Sequence, residues 1–284
     1  MSDSVIAPTL TAEVIASGAT ASDERWRHIY ASLIEHLHAF VRDVELTPAE
    51  WMTGIRFLTA TGHKCDDLRQ EFILLSDTLG VSMLVDALAN RRASAGTEST
   101  VLGPFFTTDA PDVPFGGSIS RPGSGIPMHV TGRVTAPDGA PIAGALIEAW
   151  EVDGDGLYDV QYADRIEPNS RGRVRTNEAG AFDFHATMPV SYSIPGDGPV
   201  GAMLASLGRH TMRPAHLHFS FAAPGFVPLT TALYVNGDPY IDGDAVFGVK
   251  PSLVGNYVFH DAPEPHVTLH YDFVLVPERA PVSV

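Results

Sequence analysis

The chain has 284 residues, of which 44% are hydrophobic, enough for a substantial core in one large domain or two smaller ones. Its 34 acidic and 18 basic residues leave a net charge of −16 at pH 7. That balance argues against nucleic acid, whose phosphates need a basic footprint, and against docking on an anionic membrane. The single cysteine, Cys65, permits neither an internal disulfide nor a cysteine cage for zinc. The opening residues lack the basic-then-apolar pattern of a secretory leader, and no run approaches ~18 apolar residues. The expectation is a cytoplasmic protein.

Residues 1–20 read as an arm or a poorly ordered end. Trp26, Ile29, Leu33, Leu37, Phe40 and Val44 then recur at steps of three and four, one face of a helix. Thr47-Pro48-Ala49-Glu50 reads as a helix start, with Thr47 as N-cap, Pro48 in the first turn and Glu50 reaching back. Asp66 to Leu79 and Val81 to Arg91 predict two further helices either side of Gly80. Near residue 100 the character changes: glycine and proline become frequent and the apolar period falls to two. His129–Val134, Ala145–Val152, Ala181–Ala186, Ala215–Phe221, Thr230–Val235 and Val267–Leu275 all read as strands, with a turn at Pro137-Asp138-Gly139. The fold expected is therefore mainly β: a β-sandwich over 101–284, preceded by an α-helical region over 1–100. Residues 187–214 have little strand character, and a long loop on a compact sandwich is usually functional.

Within Arg213-Pro214-Ala215-His216-Leu217-His218, a strand would point His216 and His218 to one face, offering two imidazoles to one ion. His36 and His38 share that spacing on a predicted helix, where the two side chains point about 200° apart and do not converge. Tyr158 and Tyr192 sit in loop-like surroundings; the plain reading of either is a packed ring with a hydrogen-bonded hydroxyl. Asp153-Gly154-Asp155-Gly156 faintly resembles a calcium loop but lacks the closing glutamate. A zinc hydrolase built on His216 and His218 would lack a third ligand with an adjacent general base.

Several segments in register resemble intradiol ring-cleavage dioxygenases. They are Leu102–Phe106, Gly144 to Asp159, Arg171-Gly172 with Gly180–Phe182, Tyr192 to Pro199, Gly208–His210 and Arg213 to His218. The order and spacing match over about residues 70–260. The resemblance implies a non-haem Fe(III) held by Tyr158, Tyr192, His216 and His218. Tyr192 would be the axial ligand that leaves when the substrate's adjacent hydroxyls bind, and Arg213 would lie against the ring. Phenolate and imidazole donors suit a hard ferric ion. It further implies a substrate pocket of Leu74, Asp77, Val101, Leu102, Gly103, Pro104, Phe105, Ile194, Pro195, Arg213 and Val246. It also implies O₂ as co-substrate and a homodimer formed through the N-terminal helices, with a lipid between subunits in some members.

Residues 74–80 and 238–250 look most like members that cleave hydroxyquinol (benzene-1,2,4-triol). A carboxylate at Asp77 gives a physical reason, since it could accept a hydrogen bond from a third ring hydroxyl. Many relatives that cleave catechol carry a polar residue after the segment resembling Leu229-Thr230-Thr231, where this chain has Ala232. Catechol or a chlorocatechol is the alternative substrate. A non-catalytic sandwich that binds or carries a ligand is the alternative of another class, and it would be colourless.

Overall fold

The computed structural model describes residues 6–67, 69–90, 96–165, 167–261 and 263–278. The chain divides into two compact units, Met1–Ala60 and Thr61–Val284. In the first unit lie α1 (Ile6–Ser17) and α2 (Glu24–Asp43). The α1 segment falls in the stretch read as an arm or a poorly ordered end. It is helical and packs on α2, with the Tyr30 hydroxyl donating to Val14 O at 3.3 Å. Asp23 caps α2 by accepting from Trp26 N at 3.1 Å. The apolar stripe predicted on α2 is real but uncovered in the chain: Trp26, Leu33, Leu37, Phe40 and Val44 are each at least half exposed. In α3 (Pro48–His63) the predicted start is present as a reciprocal box, Glu50 N donating to Thr47 Oγ1 and Thr47 N to Glu50 Oε2.

The second unit opens with α4 (Glu71–Thr78) and α5 (Val81–Ala89), separated by Gly80 at φ 73°, a left-handed turn that glycine accepts without strain. Helix α4 starts later than the Asp66 expected. The Asp66 carboxylate accepts from Arg69 N at 2.7 Å and folds the preceding residues into a turn instead. The predicted end of α5 at Arg91 lies outside the described residues. No single helix among those described is long and apolar enough to cross a membrane.

Two five-stranded sheets follow. In the first, β1 (Pro127–Thr135) pairs antiparallel with β4 (Ala181–Thr187) on one side. On its other side β1 pairs parallel with β11 (His266–His270) and then β12 (Phe273–Val274), while β10 (Tyr257–His260) lies outside β11. The second sheet runs β3 (Arg171–Arg175), β2 (Leu146–Trp150), β7 (His216–Ala222), β8 (Leu229–Val235) and β9 (Val254–Gly255). Alternation buries Met128, Val130 and Val134 of β1 against Leu217, Phe219 and Phe221 of β7. Phe184 and Phe273 meet Phe219 across the layers. This is the expected β-sandwich.

The strand expected over Val267–Leu275 is broken at Tyr271-Asp272. A Cβ on Gly132 would collide with Tyr271 O, so only glycine lets that backbone cross β1. There the Asp272 carboxylate takes the Arg133 N–H at 2.8 Å in place of a ladder bond. Residues 187–214 are more ordered than their composition suggested. They hold α6 (Pro199–Ser206) and a two-stranded ribbon of β5 (Tyr192–Ser193) and β6 (Met212–Arg213).

Candidate metal centre

Strand β7 is buried on both faces over its first four residues. Leu217 and Phe219 fill the core, which sends His216 and His218 to the other side of the second sheet, as the period of two required. Their Nε2 atoms lie 3.0 Å apart. His216 Nδ1 donates to Pro214 O at 2.7 Å, which leaves its Nε2 as a lone pair. Burial pushes both imidazoles well below their ordinary range, and the neighbouring Arg213 charge pushes the same way, so both are neutral. That contact is a hydrogen bond when His218 carries its proton on Nε2, and two converging lone pairs when it carries it on Nδ1, which is buried with no hydrogen-bond partner. Cis ligands of one ion, at about 2.1 Å from the metal, would sit about 3 Å apart.

Register carries the rest. Trp150 of β2 and Ala232 of β8 flank His218 on its own face, and Tyr234 flanks His216. Trp150 stacks on His218 with centroids 4.8 Å apart and planes 2° from parallel. Beyond β2 the chain turns through residues 153–158. Asp153 holds that turn by accepting from Asp155 N, Leu157 N and the Tyr162 hydroxyl, so it serves the loop rather than a calcium ion. The turn delivers Tyr158, 1% exposed, to the same pocket, where its hydroxyl donates to that of Tyr192 at 3.3 Å. Burial, and then Tyr192, push the Tyr158 phenol well above its ordinary value. Only a nearby cation would make a phenolate there.

Tyr192 and Arg213 are directly paired in the β5–β6 ribbon. Arg213, 4% exposed, donates from Nη1 to the Tyr192 hydroxyl at 3.1 Å. Asp244 holds the other side of that guanidinium at 3.1 and 3.3 Å, and Asp244 is itself fixed by Val246 N and Gly248 N. The Tyr234 hydroxyl accepts from Arg213 Nη2 at 3.3 Å. The sequence reading missed Asp244 and Tyr234, yet Tyr234 answers the question raised by Ala232: the polar group on this face stands two residues later along β8.

The segment 101–107 closes one side. Gly103, at φ 76°, brings its backbone against His218; a Cβ there would sit 3.8 Å from Nε2 and intrude on the space in front of it. Phe105 stacks on Tyr158 at 4.4 Å. The segment is tied down by buried Arg171, which donates from Nη1 to Phe105 O and Thr107 Oγ1 and from Nε to Asp159 at 2.9 Å. Val101, Leu102 and Pro104 flank those two residues, with Leu102 largely exposed. On the other side, Leu74 of α4 packs on Ile194, Leu204, Ala245 and Val246 in one apolar cluster, and Pro195 continues that loop. Asp77 is buried on α4. Burial raises its carboxyl, and Ser82 and the Arg213 charge oppose that rise, so the group sits within the field of Arg213 and Asp244.

Two neutral imidazoles and two phenol oxygens thus converge, with one cation beside them and an apolar wall opposite. Among the described residues no carboxylate or thiol joins His216 and His218, which removes the zinc hydrolase reading. Imidazole nitrogen and phenol oxygen together form a donor set that suits a hard metal ion.

A family model described as "Dioxygenase" matches residues 112–277, and one described as "Catechol dioxygenase N terminus" matches 23–97. The chain is 48% identical over 268 residues to a 6-chlorohydroxyquinol 1,2-dioxygenase of Cupriavidus pinatubonensis, covering 94% of this chain and 96% of that one. It is 49% identical over 246 residues to a hydroxyquinol 1,2-dioxygenase of Rhizobium sp., covering 86% and 83%. The solved hydroxyquinol 1,2-dioxygenase of Pseudomonas putida superposes with a TM-score of 0.91 at 46% identity, over 96% of this chain and 99% of that one. The catechol 1,2-dioxygenase of Acinetobacter radioresistens superposes at 0.83 with 28% identity, over 98% and 95%. The chain belongs to the intradiol ring-cleavage dioxygenases, a family that works with non-haem iron.

Proposed function

We propose that this enzyme holds one Fe(III) on Tyr158, Tyr192, His216 and His218 and cleaves hydroxyquinol with O₂ between its adjacent hydroxyl-bearing carbons. The product is 3-hydroxymuconate, which tautomerises to maleylacetate. The observation that carries the metal reading is the pair of facing Nε2 atoms 3.0 Å apart, beside two phenol oxygens 3.3 Å apart in the same buried pocket. Held on those four residues, a ferric ion would supply Lewis acidity toward the substrate's two adjacent hydroxyls.

The chain supplies the rest. The Tyr192 oxygen, which accepts from Tyr158 and Arg213, is the group placed to take a proton from an incoming substrate hydroxyl. Arg213, already donating to that oxygen, then faces the negative charge gathering on the ring. Asp244 keeps Arg213 aimed, so little reorganisation is needed during the reaction. The cluster around Leu74, Ile194 and Val246 keeps water from the ring. Asp77 accepts from the third hydroxyl. Plain catechol would leave that buried carboxylate with Ser82 alone and no ring hydroxyl to accept from, which favours hydroxyquinol over catechol by ~1–3 kcal/mol. The hydroxyquinol dioxygenases among the relatives support the same branch.

The exposed apolar face of α2, with Trp51, Ile55 and Leu58 exposed on α3, supports dimerisation through the helices, and its apolar side chains suit a lipid chain. Sedimentation equilibrium measures the first, and mass spectrometry of a solvent extract the second.

The test of the centre is Tyr158→Phe combined with Tyr192→Phe. The expected result is loss of bound iron and of the visible phenolate-to-iron absorption; iron and colour that survive both changes would overturn the ligand set. On the unaltered enzyme under air, a kcat/KM ratio for hydroxyquinol over catechol well above one supports the substrate. A ratio well below one moves the enzyme to the catechol branch.

A further inference from the structure

We propose that the outer face of the first sheet carries a second metal site, for a zinc-type divalent ion, on His129, Asp183 and His185. His129 of β1 and His185 of β4 are direct partners in the antiparallel register, and Asp183 lies two residues before His185 on the same face. The two imidazoles stack with centroids 4.6 Å apart. His129 Nε2 is 2.9 Å from Asp183 Oδ1, and one ligand atom from each of the three residues lies within 4.8 Å of the others. Among the described residues this is the one group of three such side chains so placed.

An ion pair between His129 and Asp183 leaves His185 unexplained. Among the described residues no side chain hydrogen-bonds its imidazole, although the ring is stacked against the pair. Two imidazole nitrogens and one carboxylate oxygen, with a fourth position left to water, form a donor set suited to zinc.

The scaffold under the three residues is rigid, which a metal site requires. β4 is held by β1 on one side. On the other, Gly116 N donates to Asp183 O at 2.8 Å, Ile119 N to His185 O at 2.8 Å, and His185 N to Gly117 O at 2.7 Å. Gly116 also leaves the Asp183 carboxylate unobstructed, since even a Cβ there would stay 3.9 Å from Oδ1. The cluster borders an open cleft of about 480 Å³ that it shares with Glu264, Pro265 and His266, so water can complete the coordination. The ion would bridge β1 to β4, far along the fold from the second sheet and its centre. The proposal stands independently of the ring-cleavage reading.

Zinc chloride titrated into iron-loaded enzyme, followed by calorimetry and by metal analysis after gel filtration, tests the site. The expected result is one zinc per chain in addition to iron, together with a zinc-dependent rise in Tm. Affinity should fall by at least ~10–100-fold in both His185→Ala and Asp183→Asn. His270→Ala, a histidine of β11 outside the cluster, should bind as the unaltered enzyme does. Iron content and visible absorption should be the same in all variants, which separates failure here from failure at the ring-cleaving centre. Absence of retained zinc overturns the proposal. So does equal retention in the cluster variants, or an equal loss in His270→Ala.

Discussion

The proposed function makes Asp77 the residue on which substrate choice turns, and replacing it tests that role in two ways at once. It is buried on α4, where burial lifts its carboxyl above the ordinary value of 3.8. A hydrogen bond to an ionised acceptor is worth about 1.5–3 kcal/mol. At ~1.4 kcal/mol per factor of ten, Asp77→Ala should lower the hydroxyquinol-to-catechol ratio of kcat/KM by about 10- to 150-fold, with iron content unchanged. Part of the change should appear as a gain on catechol, which no longer meets a buried carboxylate to which it offers no hydrogen bond. Stability should move in the opposite sense. With the folded value raised, the folded state binds the proton more tightly than the unfolded one, so stability falls as pH climbs from about 3.8 through the raised value. Asp77→Asn removes that deficit and should raise Tm at pH 7, the gain disappearing below about pH 3.8. Steady-state kinetics and thermal melts across pH read both effects. An unchanged substrate ratio in Asp77→Ala, with iron retained, refutes the role given to this carboxylate.

Asp159→Ala should cost about 3–5 kcal/mol in a denaturant titration, because it strands the buried Arg171. Burial opposes the Asp159 charge, but Arg171 outweighs it and holds the carboxyl below its ordinary value, so the pair's stability is present above about pH 3.8 and lost as pH falls through the depressed value. The variant should lack that acid-side slope. Asp244→Asn should leave iron and absorption intact while lowering kcat by about tenfold or more, because Arg213 loses its anchor; an unchanged kcat would show that the Tyr234 hydroxyl suffices. Gly103→Ala places a side chain at φ 76°, costing about 1–2 kcal/mol of backbone strain, and sets its methyl before His218; KM should rise more than stability falls.

The two histidines were legible because a strand's period of two fixes which side chains share a face, whatever the sheet around it. The convergence of Tyr158 and Tyr192 on them was not, since it depends on a loop held by Asp153 and on a ribbon closed across the eighteen residues between Ser193 and Met212. Only the resemblance brought those tyrosines forward. Asp244 and the Asp159–Arg171 pair escaped for a related reason: an acid and a base matched across the fold leave no local pattern. Helix α6 did leave one, Gly198 followed by Pro199 at the first turn, but the surrounding glycines and prolines masked it. The reading of residues 1–20 as an arm or a poorly ordered end left the helix over Ile6–Ser17 unseen, since that helix owes its order to packing on α2.

The stacking of Trp150 on His218 gives the molecule an optical property. The three tryptophans stand in two different surroundings: Trp26 and Trp51 are half exposed on the N-terminal helices, while Trp150 is buried face to face with an imidazole of the donor set. Its emission should lie to the blue of the other two and be selectable by wavelength. A coloured ion held on that imidazole would drain the excited indole. Occupancy of the proposed centre should therefore be readable by light, in native protein, without a dye or a substrate.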